Sequence, residues 1–244
     1  MIPGRKLQRD GIRRELSIDL EEATLDGTLV LPKFADGLVL FVHGCGSSRH
    51  SPRNRYVAEE LQSKGIGTLL FDLLTRREEF IDQNSGELRF DIPFLAKRLL
   101  GATKWTMNCP DTKDLKVGYF GASTGAGAAL RAAAELADSI YAVVSRGGRP
   151  DLAEDALEFV KAPTLLIVGG DDEPVISMNR AALAKLMCPD KKLVIIPGAT
   201  HLFEEPGTLK EVARIASEWF SRCFKAAKIS HVQSALGPRG LGRD

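Results

Sequence analysis

Three residues in this chain have the types and the order that acyl transfer needs. Gly121-Ala-Ser-Thr-Gly125 fits the pattern G-x-S-x-G, which marks a serine exposed on a sharp strand-to-helix turn. The serine's backbone is strained there, so its neighbours two before and two after must be nearly free of side chain. Both are glycine, and Ala126, Gly127 and Ala128 extend the small run where the following helix must press on a sheet. Ser123 then stands at a helix N-terminus, where backbone N–H groups and the dipole favour developing negative charge. Downstream, Val168-Gly-Gly-Asp-Asp-Glu-Pro-Val175 and Pro197-Gly-Ala-Thr-His-Leu-Phe203 each end an apolar run. The order is Ser123, Asp172, His201, with separations of 49 and 29 residues. In that arrangement His201 takes the Ser123 proton as general base, while Asp172 fixes its tautomer and stabilises the imidazolium. Each residue alone also fits a bland role, as a glycine-rich turn, a turn aspartate or a loop histidine. Order and strand position together favour the triad.

Convergence of residues so far apart requires a scaffold that brings strand ends to one edge. Short apolar runs recur at Leu38–Val42, Gly67–Phe71, Leu115–Phe120, Ile140–Val144, Thr164–Val168 and Lys192–Ile196. Rich in β-branched residues, they read as strands buried on both faces. Helical periodicity fills the intervals near 54–64, 91–107, 123–137, 150–160, 176–187 and 207–226. Alternating strands and helices predict an α/β fold, a mostly parallel sheet of about eight strands with helices on both faces. Glu15–Leu20 and Thr24–Leu31 form a leading antiparallel hairpin, with Asp26-Gly27 as turn signal. Leu73–Leu88 breaks the rhythm as a polar connection, and from Lys228 to Asp244 periodicity gives way to glycine and proline. The expected organisation is one domain over residues 1–227 and a loose tail over 228–244.

Bulk properties exclude several classes. The 244 residues are 44% hydrophobic and 27% charged with a net charge of +1, which fits neither a disordered chain nor a general nucleic-acid or membrane binder. Cys45, Cys109, Cys188 and Cys223 lie far apart, so reduced thiols, a cytoplasmic location and no metal site are expected. The charged start, Met1-Ile-Pro-Gly-Arg-Lys, has no signal-peptide core. Nor does any apolar run approach the roughly 18 residues of a membrane span. Gly44-Cys-Gly46 and Gly125-Ala-Gly127 complete neither G-x-G-x-x-G nor a P-loop, which disfavours a nucleotide-binding rival and leaves no cofactor expected.

With these residues in view, the chain resembles an α/β-hydrolase over roughly residues 15–226, and within that superfamily the compact dienelactone-hydrolase-like branch. The resemblance is carried by Val42-His-Gly-Cys-Gly46, the elbow at Ser123, Gly169-Gly-Asp-Asp-Glu-Pro-Val175 and Gly198-Ala-Thr-His201. It implies a carboxylate three residues before a valine, which favours Asp172 over the adjacent Asp171. It also implies that the Cys45 backbone N–H joins that of Thr124, the residue after the nucleophile, in an oxyanion hole. His43 is then structural. Dienelactone hydrolases proper carry a cysteine nucleophile, whereas this chain has serine, so general ester hydrolysis is the activity implied.

Substrate cues are local. Arg49, His50, Arg53 and Arg55 follow the third strand, Arg76 and Arg77 the fourth, and Ser145-Arg-Gly-Gly-Arg149 the sixth. Guanidinium forks suit carboxylate or phosphate, and Arg146 with Arg149 reads equally as an anion cradle or as solvated charge. Only about a dozen residues lie between Arg146 and Val160, which leaves no room for a large lid domain. The expected substrate is a small soluble ester, thioester or lactone, with a carboxylesterase-like mechanism. The alternatives are an acyltransferase on the same triad and a non-catalytic ligand-binding protein of the same fold.

Overall fold

The apolar runs become strands because their side chains on both faces find helical cover. A computed structural model describes residues 11–235, with side chains through Ala227. The strands are β1 (Ile12–Asp19), β2 (Thr24–Leu31), β3 (Gly37–Val42), β4 (Gly67–Phe71), β5 (Lys116–Ala122), β6 (Ile140–Arg146), β7 (Thr164–Gly169) and β8 (Lys191–Ile196). They form one eight-stranded sheet in the order β1-β2-β4-β3-β5-β6-β7-β8. Pairing is parallel from β4 to β8, while β2 runs antiparallel to both β1 and β4.

Two apolar layers sandwich the sheet. On one face α3 (Ile92–Asn108), α4 (Thr124–Glu135) and α5 (Glu173–Lys185) contribute Leu95, Leu99, Ala128, Leu130 and Ala182. On the other, α1 (Pro52–Ser63) and α6 (Thr208–Ala235) contribute Val57, Leu61, Val212, Ala216 and Phe220. The α4 helix lies close to the sheet because its first turns are small: a Cβ on Gly125 would stand 2.2 Å from the Val42 carbonyl oxygen. No helix among the described residues is long and apolar enough to cross a membrane.

Several expectations need correction. Asp26-Gly27 lies inside β2, where a Cβ on Gly27 would press on the Leu16 and Ile18 side chains of β1. The hairpin closes instead through Leu20 N–H to the Ala23 carbonyl at 2.8 Å. The polar connection contains a helix, α2 (Arg76–Ser85), opened by a capping box between Thr75 and Glu78 and closed by Gly86 at φ 69°. Only Asp82 of α2 is buried, so no apolar face announces the helix. The segment Pro150–Phe159 is 3-10 in character and kinked at Glu154, where φ is 53°. Strand β8 is an edge strand with Lys191, Lys192 and Ile195 exposed, not a doubly buried one. The last helix, α6, continues past Lys228 to Ala235, and the rest of the expected tail lies outside the described residues.

Candidate active site

Strand β5 ends at the elbow. Ser123 has φ 50° and ψ −125°, a conformation rarely adopted by a residue with a side chain. A Cβ on Gly121 would meet the Ala126 Cα at 2.5 Å, and one on Gly125 would collide with the β3 backbone. Those contacts account for both glycines of the motif. Ser123 occupies the N-cap position of α4 without using its hydroxyl to cap it. Its main chain is held from the neighbouring connection instead: its N–H donates to the Arg146 carbonyl at 3.2 Å, and its carbonyl accepts from Arg149 N–H at 3.0 Å.

The next two connections supply an acid–base pair at the same sheet edge. His201 Nδ1 lies 2.7 Å from Asp172 Oδ2, with the aspartate side chain 13% exposed and the imidazole 36%. The ring therefore donates from Nδ1 and presents Nε2 as the acceptor, the tautomer a general base requires. Asp171 is exposed and contributes its backbone N–H to the Ala199 carbonyl at 3.0 Å. That geometry selects Asp172. Behind the ring, a Cβ on Gly147 would stand 3.0 Å from the His201 carbonyl oxygen and 3.7 Å from its Cε1. The glycine after β6 thus lets the histidine loop close down. Among the described residues the Ser123 hydroxyl and His201 Nε2 do not hydrogen-bond each other, a separation often closed only when substrate binds.

The connection after β3 approaches the serine from the other side. Gly44 is required there, since a Cβ would lie 2.9 Å from Ser123 Cβ. Cys45 N–H donates to Thr124 Oγ1 at 3.0 Å, so the two expected oxyanion residues are in contact. His43 is buried, with Nδ1 3.0 Å from the Gly44 carbonyl oxygen and Nε2 accepting from Leu73 N–H at 3.1 Å. Desolvation pulls its pKa below the ordinary 6.5, which keeps the ring neutral and ties two loops together. Beside Cys45 a cavity of about 160 Å³ opens, walled by Leu73, Leu74, Glu79, Gln83 and Leu95. Its α2 wall escaped sequence reasoning, although Thr75 followed three residues later by Glu78 was a readable helix start.

The arginines separate on inspection. Arg49 pairs with Asp72, Arg53 with Glu204 at 2.9 Å, and Arg76 with Asp26 at 3.1 Å. Arg149 closes on Asp151, two residues away, at 2.8 Å. Arg146 points to the opposite side, toward Asn54 at the start of α1, and is 7% exposed. The two therefore form no cradle together, and Arg146 is not solvated charge either. Among the described residues no cluster of three or more His, Cys, Asp or Glu side chains is arranged to hold a metal ion.

Comparison with known proteins adds context to this geometry. The sequence model of the "Dienelactone hydrolase family" matches residues 25–228. A dienelactone hydrolase from Anabaena variabilis is 61% identical with a TM-score of 0.86, over 88% of this chain and 99% of that one. The serine hydrolase without lid from Xanthomonas campestris shares the fold at TM-score 0.67 and 20% identity, over 90% of this chain and 97% of that one. Among curated relatives, a Mycobacterium tuberculosis protein for which phosphoribosyl transfer has been put forward is 58% identical over 195 residues, 80% of this chain. The chain spans only 43% of that relative's length.

Proposed function

The chain belongs to the dienelactone hydrolase family, and from that premise we propose that it is a serine hydrolase of small soluble esters, thioesters or lactones. The observation that carries the reading is the 2.7 Å His201–Asp172 hydrogen bond on the sheet edge that also bears the strained Ser123 elbow. In this mechanism His201 Nε2 takes the Ser123 proton as Oγ adds to the substrate carbonyl. Asp172 meanwhile holds Nδ1–H and stabilises the imidazolium. Negative charge develops on the former carbonyl oxygen at the N-terminus of α4, where the Thr124 and Cys45 N–H groups receive it. The imidazolium returns the proton to the leaving alcohol, thiol or ring oxygen, giving an acyl-enzyme. Water, deprotonated by His201, then releases the acid and restores Ser123.

The small cavity beside Cys45 and the short segment after β6 support a compact substrate. Phosphoribosyl transfer is named for a relative more than twice as long as the stretch it shares with this chain, and the glycines here give it little support. Neither Gly44-Cys-Gly46 nor Gly125-Ala-Gly127 completes G-x-G-x-x-G or a P-loop. The test is a panel of p-nitrophenyl and carboxylated esters beside Ser123→Ala, with labelling by a serine-reactive phosphonate. Turnover and labelling that both vanish in the folded variant support the reading; activity that survives it ends the reading.

A further inference from the structure

The cavity beside Cys45 holds one charge that the fold leaves uncompensated. Its floor is apolar, with Leu73 and Leu95 buried and Leu74 half-buried, while Glu79 and Gln83 of α2 form an exposed rim. Among the described residues, three carboxylates line it. Asp72 is neutralised by Arg49, and Asp82 by Arg89, whose Nε donates at 2.6 Å. Glu79 has no ion pair and no side-chain hydrogen bond among the described residues. Arg89, the cation on the lining, is already committed to Asp82 through Nε and, through Nη2, to the Asp82 carbonyl. The Glu79 charge reaches the buried His43 ring, which lines the same cavity.

Helix α2 also faces the wrong way for a helix held by apolar burial. Phe80 and Ile81 are 71% and 53% exposed, while Glu79, Asp82 and Gln83 line the cavity. Polar anchors hold it instead: Asp82 accepts from Leu88 N–H at 2.7 Å, and Glu78 pairs with Arg98. Glu79 has no share in that anchoring. Its cavity, moreover, adjoins the chemistry. Cys45, an expected oxyanion donor, lines it, and Gly44 packs against Ser123. A carbonyl held between Ser123 and the Cys45 amide therefore carries its substituents within reach of the cavity mouth.

We propose that Glu79 is the specificity-determining residue of a subsite for a cationic substituent of the ester, an alkyl stem ending in an ammonium group. This rests on the hydrolase reading and names the class of ester within it. The stem lies on Leu73, Leu74 and Leu95, and the cationic end meets Glu79 at the rim. A carboxylate in the same place meets like charge, so anionic esters are the disfavoured class. Because the rim is open to water, the pairing changes kcat/KM by about two- to fivefold, the scale of an exposed ion pair.

Kinetics of the whole chain on p-nitrophenyl alkanoates of one length, ending in trimethylammonium, tert-butyl or carboxylate, test this. A parallel series of acetate esters carries the same three ends on the alcohol. In at least one series kcat/KM should rank cationic above neutral above anionic, and that series shows which side of the ester enters the cavity. The cationic-to-neutral ratio should fall in Glu79→Gln, invert in Glu79→Lys, and shrink for the parent at high salt. Gln83→Trp, which narrows the mouth, should raise KM for the trimethylammonium and tert-butyl esters relative to p-nitrophenyl acetate. If a variant fails to fold, the parent's ranking and its salt dependence decide. A cationic preference that survives Glu79→Gln, or none in either series, overturns the subsite alone. No turnover of any ester by the folded parent overturns the subsite together with the hydrolase reading.

Discussion

The Cys45 amide donates to the Thr124 hydroxyl at 3.0 Å, so one side chain of the proposed oxyanion hole occupies a main-chain donor of the same hole. For both amides to receive an oxyanion, this bond must open. A neutral hydrogen bond is worth about 0.5–1.5 kcal/mol net, which sets the scale of the cost. Thr124→Val keeps the shape and removes the acceptor. It should raise kcat by a few fold with little change in stability, because the exposed Cys45 loop leaves its amide to water. Steady-state kinetics and thermal melts check this; a fall in kcat would mean that the Thr124 hydroxyl holds the loop in place instead.

The elbow itself stores strain. A side-chain-bearing residue at φ 50° and ψ −125° costs on the order of 1–3 kcal/mol relative to glycine. Ser123→Gly should therefore stabilise the protein by about 1 kcal/mol or leave it unchanged, after the larger backbone entropy of glycine is counted. Ser123→Ala should retain the strain. Both should lose turnover by several orders of magnitude. Denaturant unfolding read beside ester hydrolysis separates the two effects.

The adjacent aspartates should behave differently. Asp172→Asn breaks the contact that fixes the His201 tautomer and should cost orders of magnitude in kcat. Asp171→Asn alters an exposed side chain and should cost less than twofold. Equal losses, measured on one ester at saturation, would show that the carboxylate is the other one.

The buried His43 predicts an acid-side loss of stability. Its folded-state pKa lies below 6.5 through desolvation, so below pH 6.5 the unfolded chain takes up a proton that the folded chain refuses. His43 therefore costs no stability above 6.5; as pH falls below that value stability declines, levelling off once the folded ring titrates. His43→Gln should flatten this slope between about pH 7 and pH 5. Urea melts of both proteins across that range check it, and superimposable slopes would count against a buried neutral ring.

Much of the fold was legible because strands β3 to β7 are short apolar runs whose burial is written in their composition. Helix α2 was not, since only Asp82 is buried and its signal is a capping box. Strand β8 looks like its neighbours in sequence, but position at the sheet edge decides its exposure, and no local pattern encodes that. At the site, order placed Ser123, an aspartate and His201 at the ends of separate strands; the resemblance favoured Asp172 over Asp171, and it is Asp172 that lies against His201. The arginines were not: Arg146 and Arg149 are alike in sequence context, yet alternation along β6 turns Arg146 toward α1, while Asp151 captures Arg149.

The two main-chain bonds from Ser123 to the connection after β6 bear on how the protein fails. Those bonds join the nucleophile's backbone to Arg146 and Arg149, and Asn179 of α5 fastens the same stretch through the Gly148 carbonyl at 2.9 Å. The reacting centre is thereby part of the same cooperative unit as the inner strands. It cannot fray ahead of them. Heating should therefore abolish activity and tertiary structure in a single transition, and the Ser123 and Arg149 amides should exchange with deuterium only as slowly as the whole domain opens.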